Sequence, residues 1–330
     1  MRPIQTEHDL DQLRLATGAY AAIIAWSRHG LFDALREGGT LSPHDLPANA
    51  DAIRNTAPVL AHLGLIIRHP QPDGSEAWGL SHTARELMAQ GVLPMARAWD
   101  GLDDLTRLHD VLEHGGPVRD REGRSRLTSG GVVQSNPERT KAFMDMLYRR
   151  SEASALETAR LLSPWISSGG HALDLGGGHG RYGHALLEKG MQVTLFDRAI
   201  CCDIAAERYG TDIATLAGDF MTDDLGGPYD LALLSNIVHG CTPEELDGIL
   251  KRLRDVVVPG GIVAIKDMFL NEAMDRPESA AMFGMTMLLY TEGGRSYTYL
   301  EMHEALQRAG FDDLDCIEVP DQRFSLLIAR

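Results

Sequence analysis

One short stretch, HALDLGGGHGRYGHAL at residues 171–186, constrains this chain more than any other. An apolar run ends near Asp174 and is followed by four glycines within residues 176–180. Because glycine has no side chain, such a backbone lets a ligand approach closely and leaves the next helix N-terminus accessible. The stretch therefore predicts a buried strand, a ligand-binding loop and a helix.

The sequence around this stretch predicts an α/β domain over residues 166–330. Helical stretches separate most of a series of apolar runs, which implies right-handed βαβ units and a mostly parallel sheet covered on both faces. The last two strand-like runs are joined only by a short turn around Pro320 and Asp321, so they must be antiparallel. The apolar runs of the parallel part are 171–175, 191–196, 213–217, 229–235 and 261–266.

Residues 1–98 predict a smaller, mainly helical domain. A helix over about residues 8–35, then a short helix, a turn and a longer helix ending near Gly64 are predicted. A strand, a turn at Pro72-Asp73-Gly74, a second strand and a helix follow, and together these elements resemble a winged helix. The apolar segment Tyr20–Leu35 favours burial against a second subunit, and hence a homodimer. Residues 99–165 predict a helical connector to the substrate pocket, with an exposed and mobile glycine-rich loop at 115–131 and a helix start near Pro137.

The overall composition excludes several classes of function. The net charge is −16, which disfavours nucleic-acid binding, and the would-be recognition helix offers only Arg54 as a cation. No apolar run approaches the ~20 residues needed to cross a bilayer, and the acidic N-terminus does not resemble a signal peptide, so we expect a cytoplasmic protein without membrane contact. The four cysteines lack metal-site spacing, so we expect reduced thiols and no metal.

Two cofactor classes fit the glycines. The spacing of Gly178, Gly180 and Gly183 satisfies a dinucleotide fingerprint, whereas Gly176, Gly178 and Gly180 after Asp174 fit S-adenosylmethionine (SAM). An acid at this edge repels a pyrophosphate but attracts the ammonium and sulfonium of SAM, so SAM is favoured. The alternative for Asp174 is a purely structural role as the cap of the loop.

Further acids follow the next two strands. Asp197 could accept hydrogen bonds from ribose hydroxyls of either cofactor. Asp219 could accept from an adenine amino group, and Phe220 could lie against the ring. Each alone is more often an ordinary loop acid, but acids at three successive strand ends favour a cofactor site.

The motifs LDLGGGHGRYGHAL, LFDRA, AGDFM, LALLSNIVHGCTPEEL, VVVPGGIVAIKD and TEGGRSYTYLEMHEALQRAGF carry a family resemblance. In this order and spacing they resemble class I SAM-dependent methyltransferases, and more narrowly the small-molecule O-methyltransferases of the caffeate and acetylserotonin type. The resemblance covers nearly the whole chain, because that family also begins with a helical dimerisation domain.

The resemblance implies particular site residues. His239 corresponds to the family's proton acceptor, although Gly240 and Cys241 follow it in place of the family's Asp-Trp. Ser296 occupies the position of the glutamate that orients the family's histidine, so either another acid serves, or the base is weaker, or the nucleophile needs little help. The further predicted cofactor contacts are Arg198, Ser235 and Ser151. The predicted substrate contacts are Met144, Tyr148, Met282, Phe283, Met285 and Tyr290, with Met287 on the same helix, although methionines at such spacing are more often core.

The sequence therefore predicts a SAM-dependent enzyme that methylates a hydroxyl of a small, aromatic metabolite, with His239 as general base. Methylation of carbon or nitrogen is the alternative within the family. A winged-helix DNA-binding regulator is the alternative from another class.

Overall fold

The computed structural model describes residues 3–71, 76–95, 98–127, 136–319 and 324–330. The chain divides into two compact units, Met1–His109 and Asp110–Arg330. The finer functional division at residues 98 and 165 stays a prediction. None of the helices within the described ranges combines the length and the apolar content that crossing a membrane requires.

The first unit contains helices and a small antiparallel sheet. Its strand order is β1-β3-β2, and helices pack against the sheet through a core that includes Trp26, Phe32 and Ile53. The predicted longer helix and the two strands after it are confirmed, but the predicted helix over residues 8–35 is divided into two helices. The short helix predicted from Leu41 is wrong, because turns and bends occupy residues 43–48. The predicted turn at Pro72–Gly74 lies outside the described residues. The elements are α1 (Glu7–Arg28), α2 (Leu31–Gly38), β1 (Thr40–Leu41), α3 (Ala50–His62), β2 (Ile66–Pro70), β3 (Glu76–Leu80), α4 (His82–Ala89) and α5 (Ala98–Thr106).

The apolar surface of this unit lies further towards the N-terminus than the sequence predicts. Leu31, Phe32 and Leu35 are almost completely buried in the unit's own core, so they are not available to a partner. The prediction for that part of Tyr20–Leu35 is therefore wrong. The large apolar side chains that remain exposed on or just before α1 are Ile4, Leu10, Leu13, Leu15 and Tyr20.

The second unit alternates strands and helices. Helix α6 runs across the boundary between the units, and a 3-10 turn at Val238–Gly240 follows β7. The elements are α6 (Leu108–His114), α7 (Pro137–Arg150), α8 (Glu152–Leu162), β4 (His171–Leu175), α9 (Arg181–Leu187), β5 (Gln192–Asp197), α10 (Ala199–Tyr209), β6 (Ala214–Ala217), β7 (Tyr229–Ser235), α11 (Pro243–Val256), β8 (Val257–Asp267), α12 (Glu278–Tyr290), α13 (Tyr299–Arg308), β9 (Leu314–Val319) and β10 (Phe324–Ala329).

These strands form one seven-stranded sheet in the order β6-β5-β4-β7-β8-β10-β9. Strands β4 to β8 pair in parallel, whereas β10 is antiparallel to both its neighbours, so the predicted mostly parallel sheet is confirmed. One face packs against α8, α9 and α10, and the other against α11 and α13. The strand order reverses between β4 and β7, and in such sheets ligands bind beyond the carboxyl ends of the strands at that point.

The segment after α6 is partly docked, contrary to the predicted exposed loop. The Val118 N–H donates to the Leu289 carbonyl, and the Leu127 N–H donates to the Tyr290 carbonyl. Val118 and Ser125 are buried. Residues 118–127 thus lie along the end of α12, while residues 128–131 are outside the described part of the chain.

Candidate active site

The glycine loop after β4 is packed tightly by the protein's own side chains. Gly176, Gly178 and Gly180 all have positive φ, at 67°, 52° and 76°, a conformation that disfavours other residues. A Cβ at Gly176 would overlap Ile237, and one at Gly180 would lie 2.9 Å from the Tyr209 ring. The glycines are therefore required by internal packing as well as by any ligand.

Asp174 lies beneath this loop rather than at its edge. Its side chain is completely buried, and its Oδ2 accepts a 2.9 Å hydrogen bond from the Gly183 N–H. Burial, opposed by this hydrogen bond and assisted by the charge of Asp197, raises the pKa of Asp174 to about 7. Its Oδ1 is buried and has no partner among the described residues. The capping role is thus observed, and one oxygen remains for a ligand.

Asp197, at the end of β5, also holds the loop. Its Oδ2 accepts from the Gly178 N–H at 2.8 Å, and its Oδ1 accepts from the Arg198 N–H at 2.7 Å. Burial, opposed by these hydrogen bonds, raises the pKa of Asp197. Each carboxylate oxygen can accept a second hydrogen bond, so a ribose diol still fits this carboxylate. The Arg198 side chain is exposed.

The third acid is more open. Asp219 is exposed and caps a turn, because its Oδ1 accepts from the Met221 N–H at 2.8 Å. Phe220 is half-buried against the core on the α11 side of the sheet. Ser235, at the end of β7, is buried, and its Oγ has no partner among the described residues. Unused buried polar atoms and positive-φ glycines at one sheet edge fit a polar cofactor such as SAM.

Helix α7 covers the glycine loop. The Met144 sulfur would lie 3.2 Å from a Cβ at Gly178. The Tyr148 ring lies under two guanidinium groups, with Arg181 at 3.7 Å and Arg208 at 4.4 Å from its centroid. These cation–π contacts fix the orientation of the Tyr148 ring beneath α7 and beside the glycine loop. The predicted contact of Tyr148 with a substrate stays a prediction.

A histidine within the glycine loop connects that loop to α8. The His179 Nδ1 accepts from the Arg181 N–H at 3.1 Å, so Nε2 carries the proton that is shared with Ser151 Oγ at 3.3 Å. Burial, assisted by the charges of Arg208 and Arg181, lowers the pKa of His179 to about 4. A neutral His179 therefore fixes Ser151 beside the loop. His179 was not among the residues predicted from the sequence.

His239, the predicted general base, is paired with a buried carboxylate. It lies in the 3-10 turn after β7, and its Nδ1 is 2.9 Å from both carboxylate oxygens of Asp267, at the end of β8. Burial acts to raise the pKa of Asp267, but the charge and hydrogen bond of His239 outweigh it and leave that pKa below its ordinary value. An ionised carboxylate only accepts, so Nδ1 carries a proton and Nε2 is the available base.

A carboxylate other than the family's glutamate, that of Asp267, thus contacts His239. Ser296 does not reach the histidine, since its Oγ donates to the Ala280 carbonyl at 2.7 Å. The backbone of this segment does, because the Arg295 N–H donates to the His239 carbonyl at 2.8 Å. Of the three alternatives for the missing glutamate, the first describes the structure. Asp267 could have been found in the sequence as a fourth acid at a strand end.

Helix α12 provides one wall beside this pair. The Phe283 ring lies edge-on to His239, with centroids 4.7 Å apart. Met285 is half-buried, and Met282 is 45% exposed. Met287 is buried, as the core alternative predicts, and Tyr290 lies at the end of the helix with Arg126 5.2 Å from its ring centroid. The structure therefore brings together Phe283 and His239, whereas Tyr290 is engaged with the segment before α7.

Comparisons with known proteins show which sequences and folds this chain is similar to. The sequence model of one protein family, described as the O-methyltransferase domain, matches residues 107–312 of this chain. The 3-hydroxy-5-methyl-1-naphthoate 3-O-methyltransferase of Streptomyces sahachiroi is 30% identical over 194 residues, 57% of this chain and 54% of that protein. Acetylserotonin O-methyltransferase of Mus musculus is 30% identical over 218 residues, covering 59% and 54%. The L-tyrosine C(3)-methyltransferase of Streptomyces lavendulae is 27% identical over 188 residues, covering 54% and 51%.

Two solved structures show the same fold over nearly the whole chain. Human N-acetylserotonin methyltransferase in complex with SAM has a TM-score of 0.74 at 20% identity, covering 100% of this chain and 99% of that one. TnmH has a TM-score of 0.79 at 24% identity and covers 99% of each chain. The chain spans about half the length of the curated relatives it matches.

Proposed function

Because the chain belongs to the O-methyltransferase domain family, whose members depend on SAM, we propose that it methylates a hydroxyl of a small aromatic molecule. His239 acts as the general base. The observation that carries this proposal is the pairing of His239 with Asp267 at the sheet edge where the glycine loop also lies.

The cofactor side would be held by residues on three strand ends. The glycine loop and Asp197 would face the ribose, and Asp219 and Phe220 the adenine. When bound, SAM supplies an electrophilic methyl group on a sulfonium, which an acceptor oxygen can displace. The chain's own contribution to this step is to align the reactants, which can supply roughly 7–11 kcal/mol of the barrier.

The acceptor side increases the charge density on the nucleophile. The Nε2 of His239 takes the proton of the acceptor hydroxyl, and Asp267 stabilises the imidazolium that results. The proton afterwards passes to solvent, so the products are a methyl ether, S-adenosylhomocysteine and a proton. Phe283 supplies an apolar wall that fits an aromatic ring. The aromatic substrates in the names of the naphthoate and acetylserotonin relatives support the same acceptor class.

A screen with methyl-deuterated SAM tests the proposal. Aromatic hydroxyl compounds are incubated with the protein, and products are detected by mass spectrometry with a shift for one labelled methyl group. Product NMR then distinguishes an O-methyl group from a C-methyl group, which is the second candidate because one relative is named a tyrosine C(3)-methyltransferase. Absence of transfer to any phenol, with transfer to another acceptor class, would contradict the proposal.

We further propose that the protein is a homodimer in the cytoplasm. The support is the exposed apolar side chains of α1, among which Leu10 and Leu13 lie on one side of the helix and are 55% and 42% exposed. Exposed apolar surface of this kind typically marks a protein–protein contact. Light scattering at micromolar concentration tests it, and a monomeric mass would contradict it.

A further inference from the structure

Three polar side chains near the carboxyl ends of neighbouring strands face the same side of the sheet, and we call them the row. They are Asp174 on β4, Ser235 on β7 and Lys266 on β8. Asp174 pairs in register with Leu233, so it lies two residues before the level of Ser235. Ser235 and Lys266 are directly paired in register. Because side chains alternate along a strand, all three face α8 and α9, as do the core residues two positions earlier. Those core residues are Ala172, Leu233 and Ala264.

Lys266 is the unusual member of this row. It is only 6% exposed, and no described carboxylate forms an ion pair with it. Its Nζ donates to Asn236 Oδ1 at 2.8 Å and lies 5.5 Å and 4.7 Å from the ring centroids of Tyr182 and Phe324. An ammonium has three donors, and a lysine is rarely buried without an anion. The charge of Asp267 is nearby, but that carboxylate faces the other side of the sheet and contacts His239.

The row also contains unused acceptors and donors. Ser235 Oγ and Asp174 Oδ1 are buried and have no partner among the described residues. The next residue after Ser235 is Asn236, which adopts a left-handed conformation with φ of 57°. Ile237 then packs against Gly176. The Lys266 ammonium therefore lies next to the turn that contacts the glycine loop.

The order of the strands assigns this row to one end of the cofactor. Asp197 and Asp219 follow β5 and β6, on one side of β4, and they suit the ribose and adenine. A ligand extending from β6 across β4 presents its opposite end to β7 and β8. In SAM that end is an amino acid, which carries an ammonium and a carboxylate. We propose that Lys266 and Ser235 bind the carboxylate of this amino-acid group, while Asp174 balances its ammonium.

A cycle of two ligands and two proteins tests the proposal by calorimetry without any acceptor. The ligands are SAM and decarboxylated SAM, which keeps the ammonium but lacks the carboxylate. The wild type should bind decarboxylated SAM roughly 10–100-fold more weakly than SAM, as expected for loss of a charged hydrogen bond. Lys266→Met should weaken SAM binding by a similar factor and change the affinity for decarboxylated SAM by no more than about threefold. Lys251→Met removes the same positive charge at an exposed position and is the matched control.

Ser235→Ala provides a milder variant that keeps the lysine, and it should lose about threefold to tenfold in affinity for SAM alone. Equal loss for both ligands in Lys266→Met would overturn the proposal and make Lys266 a support for the Asn236 turn. Equal affinity of the wild type for the two ligands would also overturn it, with no variant needed. The inference rests on the cofactor part of the proposed function. If the wild type binds neither ligand, the proposed function fails too, whereas equal binding of both removes only this inference.

Discussion

Replacing Asp174 with asparagine should stabilise the ligand-free protein at neutral and alkaline pH. Burial, with a smaller contribution from the charge of Asp197, raises the pKa of Asp174 from its ordinary 3.8 to about 7, against the hydrogen bond from Gly183. The unfolded chain therefore ionises this carboxyl at lower pH than the folded chain. Above pH 7 the difference costs the fold about 4 kcal/mol.

The upward direction of the pKa shift determines the pH range over which the free energy of unfolding changes. Below about pH 4 the carboxyl is neutral in both the folded and the unfolded chain, so its burial does not oppose an ionisation and the free energy of unfolding is highest with respect to this group. Stability is lost as pH rises towards 7 and is then constant, with about 2.5 kcal/mol of the loss between pH 5 and pH 8. Asparagine keeps an acceptor for Gly183 but buries an unused N–H donor, which costs about 1–3 kcal/mol at every pH.

Urea unfolding without SAM at pH 5 and pH 8 isolates the ionisation. The free energy of unfolding of Asp174→Asn relative to wild type should rise by about 2.5 kcal/mol between these two values. Asp255→Asn, at an exposed position on α11, should show no such change. Parallel pH profiles for wild type and Asp174→Asn would refute the assigned cost of burying this carboxyl. The higher stability of Asp174→Asn should be accompanied by weaker SAM binding, because the variant lacks the charge that attracts the ammonium and sulfonium.

Four further outcomes are expected. His239→Ala should lower kcat by roughly 10²–10⁴-fold in steady-state assays with SAM affinity almost unchanged, and retained turnover would show that alignment alone suffices. Asp267→Asn should lower kcat by a comparable factor because it no longer fixes the tautomer, whereas Ser296→Ala should have little effect; the reverse ranking would exclude Asp267 as the orienting group. Asp197→Ala should weaken SAM binding by about 1–3 kcal/mol in calorimetry, and unchanged affinity would remove it from the ribose site. Leu13→Asp should convert a dimer to a monomer in light scattering, and an unchanged dimeric mass would place the interface elsewhere.

The fold could be predicted because its signals are local. Each predicted run of the parallel part lies within or overlaps an observed strand, and Gly176, Gly178 and Gly180, the glycines that shape the loop after β4, are contiguous in sequence. The antiparallel end followed from the length of one turn, since parallel strands need a longer crossover. The acids at strand ends were identifiable for the same reason: topology alone brings the carboxyl ends of parallel strands to one edge.

The parts that could not be predicted depend on which side chains meet across the sheet. Asp267 is 28 residues from His239 in sequence, and only the pairing of β7 with β8 brings it to Nδ1. The depth of Asp174 depends on how closely α9 packs, because Gly183 places its backbone N–H against that carboxylate. The family resemblance assigned Tyr148 to the substrate pocket, yet the guanidinium groups of Arg181 on α9 and Arg208 on α10 lie against its ring. No local pattern encodes such contacts.

The alternation of side chains along β8 has a consequence for engineering this protein. Lys266 and Asp267 are consecutive, yet one faces the α8 and α9 side and the other faces His239 on the opposite side. Under the assignments proposed above, the group that binds the carboxylate of the methyl donor and the group that orients the base for the acceptor lie on opposite sides of β8. Substitutions on the acceptor side should therefore combine with substitutions on the donor side with nearly additive free energies where the two positions lie more than about 7–10 Å apart, whereas Lys266 and Asp267 themselves should couple through their charges.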